Sequence, residues 1–398
     1  MLIFFAITFT VLGLAYGYIG WRIIIPAELN SPWSWIAWAV LFLFLIIPYV
    51  ATYLHFTGKE NPFTDVLSWI GYIGLGFFSL VFVFVLAKDV IWLLGIAGEK
   101  IITFTGNLFS DNTRPSLPPD PERRRFLINS INLGILGVSG MLTGYGIFET
   151  RRSPYLKEVT VPIKNLHKDL DGYTIVQFTD IHVGPTVKRS YVKKIVDQIN
   201  GIEKDLVVFT GDLVDGSVKN LRDDVEPLRQ ISSPNGYYFV TGNHEYYSGV
   251  EEWIKEAEKL GFKVLINEHQ VLTKGNSKII LAGVTDTSGG QFLPEHKSDP
   301  HKALLGAPEA DIKILLAHQP RSLYESSKAG YDLQISGHTH GGQYIPWNFM
   351  AKIGQPFIKG LHLFDKTWIY VSMGTGYWGP PLRIGARSEI TLIKLKKV

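Results

Sequence analysis

Before residue 150 the chain carries stretches whose backbone only one kind of structure can satisfy. Residues 1–21, 34–54, 66–87 and 126–148 are essentially free of charge. Each reaches the roughly 20 residues that an α-helix needs to cross a hydrocarbon core of about 30 Å. In lipid every N–H and C=O must be bonded within the segment, so these runs are predicted to be four helices of a transmembrane domain over residues 1–148. Trp21, Trp33, Trp35, Trp69 and Trp92 flank them, as interfacial aromatics do. Residues 1–21 lack a basic leader and a clear small-residue cleavage site, which disfavours a removed signal.

Basic residues orient the four spans. The loop over residues 88–125 carries Lys88, Lys100, Arg114, Arg123, Arg124 and Arg125, whereas the loop over residues 55–65 carries only Lys59. The positive-inside rule puts the former in the cytoplasm and everything after Glu149 on the extracytoplasmic side. Arg123-Arg124-Arg125-Phe126-Leu127 ahead of an apolar run also resembles a twin-arginine export signal. A plain basic anchor explains it equally well, and Arg151-Arg152 after the fourth span argues the other way.

Residues 149–170 read as a connector, in which Lys157 to Pro162 alternates like an edge strand. From residue 171 to 398 the pattern changes. Short apolar runs each end in a polar, glycine-containing loop, at Asp180-x-His182, Gly211-Asp212, Gly242-Asn243-His244-Glu245, His318, Gly337-His338-Thr339-His340 and Gly374-Thr375-Gly376. Buried strands that end this way deliver polar groups to one edge of a sheet core.

The side chains so delivered suit metals. Asp180, Asp212 and Asn243 offer hard oxygens, and His182, His318, His338 and His340 offer borderline nitrogens. This mixed set fits two divalent ions such as manganese, zinc or iron. Two metals about 3.5 to 4 Å apart let one activate a water while both stabilise the oxygens of an in-line phosphoryl displacement. The absence of cysteine excludes thiolate ligands and a disulfide scaffold. His244 adjoins a ligand without being needed as one, and a placed imidazole acid assists a poor alkoxide leaving group by roughly 10²- to 10⁴-fold.

The ordered D-x-H, GD-x-x-D, GNH-[DE], H and GH-x-H elements resemble the calcineurin-like metallophosphoesterase superfamily, and the likeness covers about the last 230 residues. The resemblance implies an α/β four-layer (α-β-β-α) sandwich with a dinuclear site at the strand ends. It implies that Asp180, His182, Asp212 and His340 hold one metal and Asp212, Asn243, His318 and His338 the other, with Asp212 as bridge. His244 would contact the phosphate and protonate the leaving oxygen. Asp215 and Glu245 would orient the ligands from behind. The stretch from Gly341 to Lys359, with Ser372 to Gly376 and the run to Glu389, resembles a bacterial membrane-associated subgroup, some of whose relatives act on lipid-linked phosphoesters and lipid A precursors.

Arg383 and Arg387 are candidate phosphate-binding residues, since guanidinium forks suit phosphate. His55, His167, His269, His296, His301 and His362 have no motif around them and are expected to be ordinary loop or surface histidines. Residues 286–301 read as a polar loop near the site. Residues 344–358 read either as core or as an apolar rim that meets the bilayer or a lipid tail.

A net charge of +3, with no dense Lys/Arg block among aromatics, disfavours nucleic acid as main partner. The expectation is a membrane-anchored phosphoesterase whose phosphodiester, pyrophosphate or monoester substrate is lipid-linked. Its alternatives are the same chemistry on soluble phosphoesters and a non-catalytic membrane sensor or scaffold.

Overall fold

A computed structural model describes residues 2–56, 59–109 and 120–398. Of the expected basic loop over residues 88–125, residues 110–119, including Arg114, lie outside the described residues, while 88–109 and 121–125 are helical instead of loop. The chain divides into two compact units, Met1–Thr52 with Ile70–Gly144 and Tyr53–Trp69 with Tyr145–Val398.

The helices of the apolar region are α1 (Leu2–Ile23), α2 (Trp33–Phe56), α3 (Pro62–Phe109) and α4 (Pro121–Arg151). Among the described residues, three segments are long and apolar enough to cross a membrane, Trp33–His55, Pro62–Thr105 and Pro121–Arg151. Within the first unit Tyr16 and Ile19 of α1, Leu41 and Leu45 of α2, and Val81 and Val85 of α3 form a buried seam. Phe42, Leu43, Trp92 and Leu133 are exposed, as side chains that face lipid would be.

The third helix runs well past the expected 66–87, because the charges that suggested its end are paired inside the bundle. Tyr18 donates to Asp89 at 2.5 Å, Arg22 pairs with the same carboxylate, and Lys88 donates to the Asn132 side-chain oxygen at 2.8 Å. Paired charges can stay within a helix that an isolated one would terminate.

The second unit contains two six-stranded sheets. The strands are β1 (Tyr155–Ile163), β2 (Thr174–Phe178), β3 (Leu206–Phe209), β4 (Tyr237–Phe239), β5 (Lys263–Val264), β6 (Glu268–Lys274), β7 (Ser277–Gly283), β8 (Ile312–Leu316), β9 (Leu333–Ser336), β10 (Gly360–Phe364), β11 (Thr367–Val371) and β12 (Glu389–Lys397). One sheet has the order β1-β12-β2-β3-β4-β5 and the other β10-β11-β9-β8-β7-β6. The expected edge strand is β1, and its sole strand partner is β12.

Side-chain alternation builds the layers. Ile175, Leu206 and Val208 point into a core shared with Ile279, Ile314, Leu333 and Tyr370 of the other sheet. Val176, Phe178, Val207 and Phe209 point the other way, onto Val192, Ile195 and Ile199 of α5 (Arg189–Asn200) and Leu221 of α6 (Val218–Val225). Beyond the second sheet, Leu323 of α9 (Leu323–Ala329) covers Ile369 and Val371 of β11. Helix, sheet, sheet and helix thus stack in the expected order.

Strands β2, β3 and β4 are parallel neighbours, as are β8, β9 and β11. Parallel pairing brings their carboxyl ends to the same edge of each sheet. Buried Gln177 on β2 ties the two sheets there, donating to Thr210 at 2.8 Å and to the Ser336 carbonyl at 2.9 Å.

Candidate metal centre

Every polar group expected from the strand ends arrives in one place, and the backbone is bent to bring it there. Asp180, His182, Asp212, His338 and His340 have φ of 54°, 55°, 59°, 72° and 51°. A non-glycine residue held in the left-handed region costs on the order of 1–3 kcal/mol and persists only where its surroundings over-determine it. Here they do, through Asp180 N–H to Gly211 O at 3.0 Å and His338 N–H to the Asp180 carboxylate at 2.9 Å. Gly211 has φ 93°, and a Cβ there would lie 2.7 Å from His318 Nδ1 and 2.6 Å from Gly242 N.

Two clusters of potential ligand atoms result. Asp180, His182 and His340 form one, and Asp212, His318 and His338 the other, with the atoms of each within 4.8 Å of one another. Within the first, His182 Nε2 and His340 Nε2 are 3.0 Å apart; within the second, His338 Nδ1 and His318 Nε2 are 3.1 Å apart. Asp212 Oδ2 lies 3.0 Å from His318 Nε2 and 3.7 Å from His182 Nε2, so this carboxylate stands between the clusters. A third combination, His182, Asp212 and His244, also meets the distance.

The residues present fit divalent metals. The Asn243 side-chain oxygen is buried and has no hydrogen-bond partner among the described residues. An orphaned amide oxygen is costly in a core and natural in a ligand. Ring nitrogens facing one another at about 3 Å need a proton or a cation between them. Burial, with the His318 charge next to it, pushes His338 down to about 3, and burial with Arg383 holds His340 well below the usual histidine range. Both rings are therefore neutral imidazoles, the form that ligates.

A supporting layer fixes the rings. Asp215 Oδ1 accepts from His182 Nδ1 at 3.0 Å and pairs with His244 Nδ1 at 2.6 Å. His318 Nδ1 donates to the Thr210 carbonyl at 2.8 Å. Such contacts set which nitrogen is left for a metal. Glu245 is fully buried and accepts from the N–H groups of Asp212 (3.0 Å), Leu213 (2.7 Å) and Gly242 (2.6 Å). Burial opposes the charged form of His244, yet the Asp212 and Asp215 carboxylates outweigh it and raise that ring to about 9.

Arg383 is not where the sequence suggested. It is fully buried, and its guanidinium donates to the backbone carbonyls of His340 (3.0 Å), Met373 (2.7 Å), Gly376 (3.2 Å) and Ala386 (3.0 Å). Its Nη2 also faces His340 Nδ1 at 3.0 Å, so it braces the ligand loops and has no fork left for a phosphate. Arg387 stands elsewhere, 3.9 Å from Glu149 and over the Tyr155 ring, beside a 640 Å³ cavity that no candidate metal ligand lines.

Residues the sequence did not single out also join. Gln319, next to His318, donates to buried Asp286 at 2.9 Å, which ties the 286–301 loop to the ligand strand. Tyr247 and Trp378 set their rings edge-on to His244, at 5.3 and 5.6 Å between centroids. Adjacency to the candidate ligand His318 marked Gln319, but nothing local marks Tyr247 or Trp378. Beyond His340, Tyr344 is buried, whereas α10 (Trp347–Gly354) exposes Trp347, Phe349, Met350 and Ile353, the last at 79%.

Known proteins share these features. The calcineurin-like phosphoesterase family model matches residues 173–342. A zebrafish (Danio rerio) transmembrane protein with metallophosphoesterase domain is 39% identical over 268 residues, which is 65% of this chain and 61% of that protein. This chain thus spans under two thirds of that relative. A Caenorhabditis elegans protein bearing the metallophosphoesterase name is 30% identical over 90% of this chain and 74% of its own length. An uncharacterized metallophosphoesterase of Campylobacter jejuni is 36% identical over 66% of this chain and 69% of its own.

The close approach at Gly211 generates a test. Gly211→Ala places a methyl against His318 and imposes an unfavourable φ, so a stability loss of about 2 kcal/mol or more is expected. Chemical unfolding, together with metal content by elemental mass spectrometry, checks it; unchanged stability and metal content would contradict the packing described.

Proposed function

We propose, from the premise that this chain belongs to the calcineurin-like metallophosphoesterase family, that it is a membrane-anchored phosphoesterase working with two divalent metals. Asp180, His182, Asp212 and His340 would hold one ion, and Asp212, Asn243, His318 and His338 the other. The observation that carries this is the position of the Asp212 carboxylate between two ligand clusters, with His244 beside it. When bound, the metals supply a water activated at neutral pH and positive charge for the phosphoryl oxygens.

The protein's own groups do the rest. His244 is partly exposed, its Nδ1 held by Asp215, so its Nε2 is directed away from that carboxylate and can deliver a proton to the departing oxygen. Asp215 keeps both His244 and His182 in fixed orientations. Glu245 holds the loops that carry Asp212 and Asn243. Trp378 and Tyr247 flank the His244 ring edge-on and limit the orientations it can take.

All four apolar helices cross the bilayer in this reading. Support comes from the 22-residue length of α1, from its seam with α2 and α3, and from relatives named as transmembrane proteins. The phosphoesterase unit stands on the extracytoplasmic side, as the basic residues between the third and fourth apolar runs, Lys100, Arg114, Arg123, Arg124 and Arg125, suggest. The substrate is lipid-linked. What favours it is α10, an apolar and exposed helix a few residues beyond the ligand His340, alongside a 670 Å³ cavity lined by Tyr344, Phe357 and Ile384. Exposed apolar side chains grouped on one helix of a tethered domain fit an acyl chain better than water.

Purified Asp212→Asn is expected to lose turnover of an aryl phosphoester, and His244→Ala to lose roughly 10²- to 10⁴-fold in kcat. Near-wild-type rates in Asp212→Asn, with metal content verified, would sink the mechanism. Incubation of the intact protein with membrane extract and manganese should change specific phospholipid or glycolipid species by mass spectrometry. Hydrolysis of soluble phosphoesters with no lipid changed would instead favour the soluble-substrate alternative. Protease added to intact spheroplasts should cleave the phosphoesterase unit, and protection would reverse the orientation.

A further inference from the structure

The segment Tyr53–Trp69, which links the second apolar helix to the third, belongs by its contacts to the phosphoesterase unit. His55 Nε2 donates to the backbone carbonyl of Asp215, and His55 Nδ1 lies 3.6 Å from the Glu60 carboxylate. The fit is close at Gly216, where a Cβ would stand 3.0 Å from both the His55 ring and Leu221. Asp65 pairs with Lys188 at 3.0 Å, and Arg151 lies over the Trp69 ring at 4.5 Å. On the other side of the same turn, Trp253 Nε1 donates to Gly216 O at 2.8 Å, and Gly216 N–H donates to Ser248 at 3.2 Å.

We infer that His55, in the last turn of α2, is a positioning residue of the phosphoesterase site, acting through Asp215, and that the connection formed by the end of α2 and the start of α3 is a working part of the catalytic unit. The Asp215 carboxylate holds both His182, at 3.0 Å, and His244, at 2.6 Å, through their Nδ1 atoms. The Asp215-Gly216 turn is gripped from one side, at Gly216, by Trp253 of α8 (Val250–Lys259) and by Ser248, and from the other, at the Asp215 carbonyl, by His55. Removing one jaw lets the turn drift, and a displacement of about 1 Å at a reacting geometry costs up to 10²-fold. The contact also requires this loop and the phosphoesterase unit to lie on the same side of the bilayer. An even number of crossings between them satisfies that. The inference rests on the phosphoesterase reading for its activity readout but not for its contact.

Two measurements on the full-length protein test it. The chain has no cysteine, so Asp65→Cys with Lys188→Cys introduces a unique thiol pair. A short bis-maleimide should join them within one chain, read as a linked peptide by mass spectrometry; no link, with both thiols labelled by a monomaleimide, would overturn the juxtaposition whether or not the protein is active. In the second, His55→Ala should lower kcat on an aryl phosphoester by about tenfold with KM changed less than twofold, in the range of outer ligand-supporting groups. His55→Gln, whose amide can still donate to the Asp215 carbonyl, should restore most of the rate at equal thermal stability. An unchanged kcat in His55→Ala, or no rescue by glutamine, would overturn the positioning role. If Asp212→Asn retained full rate while the link formed, the phosphoesterase reading would fail and the contact would stand.

Discussion

The Glu245 carboxylate is the joint on which the site hangs. It accepts three backbone N–H groups from two loops, those that follow β3 and β4, and it is wholly out of water. Burial, with the Asp212 charge nearby, raises it to about 7. Without it those donors would be buried and unpaired, at about 1–3 kcal/mol each. It thereby sets the spacing between Asp212 on one loop and Asn243 and His244 on the next. Parallel pairing of β2, β3 and β4 does the coarse alignment, and Glu245 the fine one. Glu245 itself sits in the first turn of α7 (Asn243–Ser248), reaching back to the Gly242 N–H as the acidic half of a capping box does.

What the sequence revealed was whatever is encoded locally. The strands before Asp180, Asp212 and His338 are short apolar runs, and each ends at a glycine or polar turn, so period and breaker residues mark them without tertiary context. The layer order followed once both faces of those strands were apolar. The apolar helices were visible for the same reason. Their ends were not. Lys88 and Asp89 look like a boundary in the chain, but Tyr18, Arg22 and Asn132 on other helices supply their partners. No window along the sequence contains that information.

Arg383 and His55 show the same limit from opposite sides. An arginine among Gly, Pro and Ser reads as an exposed phosphate binder, and only the convergence of carbonyls from His340, Met373, Gly376 and Ala386 turns it into an internal brace. His55 reads as a loop histidine because its partner lies 160 residues away. Both contacts satisfy backbone carbonyls, which are present at every residue and so leave no compositional trace. Backbone-directed contacts of long side chains are therefore the class of functional support that sequence reasoning most readily misses.

Charge explains why the arginine can be internal. The donor set contains the Asp180 and Asp212 carboxylates with His338 and His340 as neutral imidazoles, and Asp215 pairs with His244. Two divalent ions would bring twice the charge that Asp180 and Asp212 neutralise, which leaves a net positive centre for a phosphoryl group. A further cation at the substrate is then not required for attraction. Arg383, buried at 1% exposure, instead spends its donors on the loops that hold His340 and on Gly376. On the proposed reading, substrate choice would fall to groups outside the candidate ligands, such as the aromatic rings beside His244 and the exposed apolar helix that follows His340, since neither belongs to the set that would hold the metals.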